Sequence, residues 1–442
     1  MSKKIGFISL GCPKNQVDSE IMLNKLASAG YEITDTPIGA DAVIINTCGF
    51  IEAAKRESID NILEMAGYKE DGDLGKIIVT GCMAERYKDE ILTEMPEVDA
   101  VAGIGANGDI VEFVNGVFAD GEKTLFPSKD KLPLCGERML TTPSYWAYLK
   151  IADGCSNCCT YCAIPKIRGP QRSRTIESIV EEAERLVSGG AKELIVIAQD
   201  TTRYGDDIYG EPKLAELIKK LDEIDGVEWI RLLYCYPDRL TDEVLEAMSG
   251  SKHILHYIDL PLQHADGRIL KAMNRHGDSV SLLQLIEKIR GYMPDCVIRT
   301  TFITGFPGED DEAFEKLSQF VNDARFDRLG CFAYSPEEGT VAEKLPDRPD
   351  TEVAEHRGEV IMDQQFKIFS EKQEELIGQT VRCVVEDYDG FADVYVGRTW
   401  RDAPEIDSGI FIVAPDGLDI GDFVNVKITG TKEYDLTGVV AE

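Results

Sequence analysis

The sequence predicts an α/β protein with three folded parts: an N-terminal parallel-sheet α/β domain, a central incomplete (β/α) barrel, and a small C-terminal β-barrel. Three observations predict it. Apolar runs of strand length alternate with helical patterns as far as Tyr334, the signature of parallel sheets. One stretch, residues 119–143, carries three prolines and several charges without periodicity, and reads as a linker. After Gly378 the helical patterns stop and short β-like runs follow between Gly and Asp residues.

Residues 1–118 form the first part. Apolar runs at 4–10, 42–46, 76–80 and 99–103 alternate with helical patterns at 19–29 and 53–66. Ligands of such sheets sit beyond the carboxyl ends of the strands. Residues 144–375 form the second part, with strands expected at 148–152, 193–199, 229–235, 257–262, 297–303 and 329–334. Helices are expected between them at 178–187, 213–224, 281–290 and 311–324, with a longer one at 353–377. Six such repeats suggest an open barrel with its chemistry at the C-terminal rim. Residues 376–442 carry β-like runs at 381–385, 394–396, 410–413 and 423–429.

Composition narrows the function. A hydrophobic share of 43% supports proper cores and excludes general disorder. No run approaches the length of a membrane span. The N-terminus enters a strand pattern without a small-residue cleavage site, so a cytoplasmic location is expected. Thiols stay reduced there, and clustered cysteines suggest metal before disulfide. A net charge of -33 argues against a phosphate-binding surface and favours a basic partner, although solubility alone would also account for it.

Six of the 12 cysteines fall into two triplets. Cys155, Cys159 and Cys162 make CxxxCxxC directly after a predicted strand, a spacing that lets one loop present three thiolates to a single cluster. Cys12, Cys48 and Cys82 each end an apolar run, so the sheet would bring them together. Three thiolates per site leave one iron open for another ligand. Zinc is the alternative, because Cys155/Cys158 and Cys159/Cys162 are also CxxC pairs. Adjacent Cys158 and Cys159 are poorly placed to face one tetrahedral ion.

The segment from Cys155 to Pro165 resembles the radical S-adenosylmethionine enzymes. The sequences around Cys12, Cys48 and Cys82, with Gly305–Glu309 and Tyr334–Thr340, resemble that superfamily's methylthiotransferase subgroup. The C-terminal part looks like the TRAM domain these enzymes carry. The resemblance implies two 4Fe-4S clusters and S-adenosylmethionine as cofactors. Cys155, Cys159 and Cys162 would bind the cluster that cleaves S-adenosylmethionine; Cys12, Cys48 and Cys82 would bind an auxiliary cluster carrying the sulfur to be inserted. Cys158 occupies a spacer position that is usually not cysteine in the family.

Subgroup members modify transfer-RNA adenosines or a ribosomal protein. Residues 376–442 contain five basic and thirteen acidic residues, a charge that repels phosphates and attracts a cationic protein. The stretches 397–407 and 260–264 resemble the ribosomal branch, whose substrate is an aspartate of the small-subunit protein S-twelve. That protein, free or within the small ribosomal subunit, and an external electron donor are the expected partners. No membrane partner and no direct transfer-RNA binding are expected. A transfer-RNA methylthiotransferase is the nearest rival. A non-catalytic iron–sulfur or zinc protein of ribosome assembly is the rival from another class.

Weaker signals are read plainly. Gln199, Gln263 and Arg299 lie at or near strand ends and are candidate contacts for S-adenosylmethionine by the rim rule. His264 follows a strand and is the histidine to watch. Gly103, Gly105 and Gly108 match GxGxxG without a convincing acidic partner, and read as a loop. Cys135, Cys235, Cys296, Cys331 and Cys383 read as small hydrophobes. Tyr388, Tyr395 and Trp400 read as core.

Overall fold

The computed structural model describes residues 2–121, 123–415 and 417–441. The first sheet contains β1 (Lys4–Ser9), β2 (Glu32–Thr34), β3 (Ala40–Thr47), β4 (Leu74–Gly81), β5 (Ala100–Ala102) and β6 (Thr124–Leu125). Its order is β2-β1-β3-β4-β5-β6, and every pair is parallel. β3 is buried at every position but one, which is why it reads as a continuous apolar run rather than an alternation. The chain leaves β1 toward one edge and returns on its other side at β3. The topological switch point therefore falls between β1 and β3, where a crevice opens.

Residues 119–143 are more than a linker. They supply β6 as an edge strand, and Arg138 pairs with Glu20 of the first part and Glu182 of the second at 2.7 Å each. Low periodicity hid this role, because a two-residue strand has no pattern to show.

The second sheet runs β14-β13-β12-β11-β10-β7, again parallel throughout. Its strands are β7 (Trp146–Lys150), β10 (Glu193–Ile197), β11 (Trp229–Leu232), β12 (Ile254–Asp259), β13 (Val297–Thr304) and β14 (Arg328–Ala333). The short β8 (Ala152–Asp153) and β9 (Arg172–Ser173) make an antiparallel pair at its rim. Helices on the outside bury one continuous core that includes Leu149, Val196, Leu232, Ile258 and Phe302. The helix Asp311–Ala324 starts on the Asp310 carboxylate, which accepts from the Ala313 N–H at 2.9 Å.

The C-terminal part is a closed barrel, β15-β16-β17-β19-β18. It is built from β15 (Thr380–Asp389), β16 (Val394–Thr399), β17 (Ile410–Val413), β18 (Phe423–Lys432) and β19 (Asp435–Val440). Closure removes the exposed edges that an acidic sheet would otherwise present. Its β16–β17 loop reaches the inner face of the half-barrel. The Tyr257 hydroxyl donates to Asp407 at 2.7 Å, Tyr148 to Glu405 at 3.4 Å, and Arg401 pairs with Asp327 at 3.0 Å. Arg398 is buried between Glu193 and Glu386. Trp400 and Tyr395 pack against cores as expected, whereas Tyr388 is exposed and leans on Tyr395.

Candidate active site

Helix α1 (Pro13–Ser28) follows β1, helix α2 (Glu52–Glu70) follows β3, and helix α3 (Cys82–Arg86) follows β4. Cys12 is the residue that opens α1, Cys48 directly follows β3, and Cys82 is the first residue of α3. The three strand ends touch. A Cβ on Gly11 would lie 2.7 Å from the Cys48 Cβ, and one on Gly49 would lie 2.7 Å from the Met83 Cα. Gly81, with φ +95°, leaves no room for a side chain against Asn46 and Thr47.

A buried polar network fixes these ends. Asn15 donates to the Leu10 carbonyl at 2.7 Å, and Asn46 donates to the Asn15 carbonyl at 2.9 Å and to Ser19 at 2.8 Å. Ser58 of α2 accepts from the Cys48 N–H at 3.1 Å. Burial pushes the Cys82 thiol up to about 12 and raises Cys48 as well, with Cys12 adding to both. These thiols stay protonated until something positive takes them.

The second triplet lies in the loop between β8 and the helix Ile164–Arg168. Cys155 N–H donates to the Gly169 carbonyl and Cys162 N–H to the Cys159 carbonyl, each at 3.1 Å. The residues before Arg275 clamp the loop from outside. Thr160 donates to Ala272 at 2.8 Å, and Asn274 donates to the Cys158 carbonyl at 3.1 Å. Burial raises Cys155 to about 11 and Cys162 to about 12. Cys158 is exposed and held at φ +54°, turned away from its neighbours' burial.

The elements that carry the two triplets pack on one another. Cys82 packs on Ala163 and Ile167 from the helix after the CxxxCxxC loop. Arg168, 1% exposed, ends that helix, lies beside the Cys82 thiol, and pairs with Asp18 of α1 at 2.9 Å and Asp153 at 2.7 Å. Arg86 of α3 reaches Glu337 at 2.9 Å. Lys14 lies over the Tyr234 ring, 3.2 Å from its centroid, and Tyr234 holds a left-handed φ of +61°. Burial lowers Lys14 below its ordinary value, with Arg168 adding to this and Cys12, Asp259 and Asp153 opposing it.

The donor sets fit iron–sulfur groups. Arg275, 6% exposed, reaches Cys159 Sγ at 3.8 Å, the Tyr161 hydroxyl at 3.4 Å and the Pro261 carbonyl at 2.7 Å. Among the described residues no carboxylate pairs with it. A buried guanidinium without an anion is costly, and a thiolate-held cluster is the anion that would face it. Among the described residues no three His, Cys, Asp or Glu side chains converge on a point as they would around one ion. A cubane offers its irons at separate corners, so three thiols holding it need not converge.

The other expected site residues separate. Gln199 follows β10, and its amide donates to Asp153 at 3.4 Å while its carbonyl oxygen is buried without a partner. Gln263 follows β12 at φ +73°, with its backbone bonded to Thr301 and Ile303. Arg299 is committed instead to Asp259 at 2.8 Å and lies 3.7 Å from Asp407. It lines a cavity of about 480 Å³ against the C-terminal barrel, shared with Arg328, Gln365, Phe369 and Tyr434. The rim rule fails for Arg299, because it is the third residue of β13, far from that strand's carboxyl end, and its charge is taken by Asp259.

His264 is fully buried. Its Nδ1 accepts from the Asp266 N–H at 2.9 Å, so Nε2 carries the proton and faces Glu309 at 3.2 Å. Gly105 packs against the backbone of Ser128 in a 3-10 turn, Ile104–Asp109. Of the scattered cysteines, Cys235, Cys296 and Cys383 are buried; Cys331 is half-buried and Cys135 exposed. Sequence reasoning missed Arg275, Arg168, Tyr234 and Lys14. Lys14 left the one usable trace, a cation in the first turn of a helix, where the macrodipole disfavours it.

Known families match the chain part by part. Residues 4–103 match the model described as Uncharacterized protein family UPF0004, residues 149–321 the Radical SAM superfamily, and residues 377–441 the TRAM domain. Among solved structures, the radical S-adenosylmethionine methyltransferase TsrM from Kitasatospora setae is similar in fold. Its TM-score is 0.57 at 12% identity, over 76% of this chain and 77% of that one. The cobalamin-dependent S-adenosylmethionine radical enzyme OxsB gives 0.52 at 12%, over 83% and 58%.

Sequence relatives cover the whole length. The ribosomal protein uS12 methylthiotransferase RimO of Desulforamulus reducens is 49% identical over 99% of both chains. That of Acetivibrio thermocellus is 46% identical over 100% of this chain and 99% of its own, and that of Clostridioides difficile 46% over 99% and 98%. The chain belongs to the RimO family of radical S-adenosylmethionine methylthiotransferases.

Proposed function

We infer that this protein adds a methylthio group to the β-carbon of an aspartate in ribosomal protein uS12. The observation that carries the reading is the pair of cysteine triplets, held by separate parts of the chain whose elements pack on one another through Cys82, Ala163 and Ile167 and through Arg168 and Asp18. Family membership and the acidic C-terminal barrel support the protein substrate over RNA. uS12 is a basic protein, and a surface of opposite sign steers its approach.

Cys155, Cys159 and Cys162 would hold the cluster that takes S-adenosylmethionine, and Cys12, Cys48 and Cys82 the auxiliary cluster. Bound together, these groups supply the electron, the hydrogen-abstracting radical and the sulfur, chemistry that no side chain here can provide. The protein's own residues do the rest. Arg275 holds positive charge against the first set, and Arg168 does so against the second while tying α1 to the barrel. Gln199 and Gln263, beyond the ends of β10 and β12 on either side of β11, are proposed contacts for S-adenosylmethionine. Arg86 and Lys55, both on Glu337, tie the first domain to the loop that follows β14.

Working boundaries of 1–118, 119–143, 144–375 and 376–442 are proposed for dissecting these roles. Among the described residues no helix is long and apolar enough to cross a membrane. The proposed setting is the cytoplasm, beside ribosomes, with a separate electron donor. The test is to reconstitute both clusters, add S-adenosylmethionine and reductant, and offer uS12 and transfer RNA together. Mass spectrometry should find the methylthio group on a uS12 aspartate. Methylthio-adenosine in the RNA with uS12 unmodified would overturn the reading.

A further inference from the structure

We propose that Lys14 is the residue that recognises the substrate, by binding the carboxylate of the target aspartate. This deepens the reading above and rests on it. Lys14 is 5% exposed, yet among the described residues its ammonium has no ion pair and no hydrogen bond. Its one close partner is the Tyr234 ring, 3.2 Å away.

The nearby carboxylates are already taken. Asp259 accepts from Arg299 at 2.8 Å through one oxygen and from the Tyr234 N–H at 2.9 Å through the other. Asp153 accepts from Arg168 at 2.7 Å and Lys150 at 3.3 Å through Oδ2, and from the Gly154 N–H at 2.8 Å through Oδ1. The auxiliary triplet has its own cation, since Arg168 already lies beside Cys82.

Lys14 thus sits against three costs: burial, the positive end of α1, and the lack of a partner. An incoming carboxylate removes the third and benefits from the second. The place is right for the chemistry, because Lys14 is two residues from Cys12 and its ammonium lies over Tyr234, just beyond the carboxyl end of β11 at the rim of the half-barrel. A fixed carboxylate holds the adjacent β-carbon in place. Transfer-RNA adenosine offers no carboxylate, so the same contact rejects it.

The experiment is a double substitution cycle on the enzyme with both clusters reconstituted. Binding is measured for uS12 and for uS12 whose target aspartate is replaced by asparagine. The wild type should lose about tenfold to a hundredfold in affinity for the asparagine form, the range of a charge-assisted hydrogen bond. Lys14→Met should bind both forms alike, and Lys14→Arg should keep a preference for aspartate. A preference in Lys14→Met as large as the wild type's overturns the proposal. So does loss of the auxiliary iron in Lys14→Met, which would give the ammonium to the cluster instead. Wild-type enzyme that leaves uS12 unmodified defeats the substrate reading first, and this role with it.

Discussion

The cysteines at 155, 159 and 162 come from eight consecutive residues, whereas those at 12, 48 and 82 are separated by 36 and 34 residues. The first set is assembled by one loop that a few backbone hydrogen bonds hold in shape. The second exists only because β1, β3 and β4 lie side by side in register and leave their ends at one crevice. One site is written in spacing, the other in topology. The local site should therefore tolerate loosening of the fold, and the other should fail with it.

The largest expected effects are all-or-none. Cys159→Ala should abolish formation of 5'-deoxyadenosine, whereas Cys48→Ala should spare that cleavage and abolish methylthiolation. Chromatography of the nucleoside beside mass spectrometry of uS12 separates the two; cleavage retained by Cys159→Ala would remove it from the ligand set.

The two buried arginines give the next contrast. Arg168→Leu leaves Asp18 and Asp153 with Lys150 as their remaining cation and should cost about 1.5–3 kcal/mol, seen as a lowered denaturation midpoint. Arg275→Leu strands no carboxylate, so the metal-free protein should be as stable as the wild type or more so, while iron retention at the local site falls. Equal destabilisation of the two metal-free variants would break the comparison.

Gly11→Val drives a side chain into Cys48 and should cost about 1–3 kcal/mol. Iron analysis should show the auxiliary site depleted and the local site filled, with cleavage preserved. Depletion of both would mean that the sets are not independent.

A smaller effect concerns protons. Burial raises Cys82, Cys155 and Cys162 to between about 11 and about 12, so thiols must release protons as iron binds. Loading at limiting iron should therefore rise as pH is raised from neutral. A flat profile would show that the thiols ionise before the metal arrives. Smallest of all, Arg185→Ala breaks an exposed pair with Glu181 and should change stability by less than about 0.5 kcal/mol.

What the sequence disclosed divides along the same line. Ser-Asn-Cys-Cys-Thr-Tyr spacing and apolar runs ending at Cys12, Cys48 and Cys82 were visible, because each is a local pattern with a known period. The strands β2, β6 and β19 were not; two are three and two residues long, too short to repeat a pattern, and β19 is half polar. Charge pairing was also invisible. Arg299 was expected at a strand end, yet it lies third in β13, where Asp259 and Asp407 claim it. Arg275 carried no signal at all, since its meaning lies in a partner it lacks.

The β16–β17 loop has a consequence for how such enzymes can be recombined. Glu405, strained at φ +64°, and Asp407 serve hydroxyls of Tyr148 and Tyr257 inside the half-barrel, and Asp402 pairs with Arg328. The C-terminal barrel is thus no detachable adaptor. A chimera carrying another relative's module would leave unanswered tyrosines and an orphaned arginine in the half-barrel. Module and half-barrel are bequeathed as one piece.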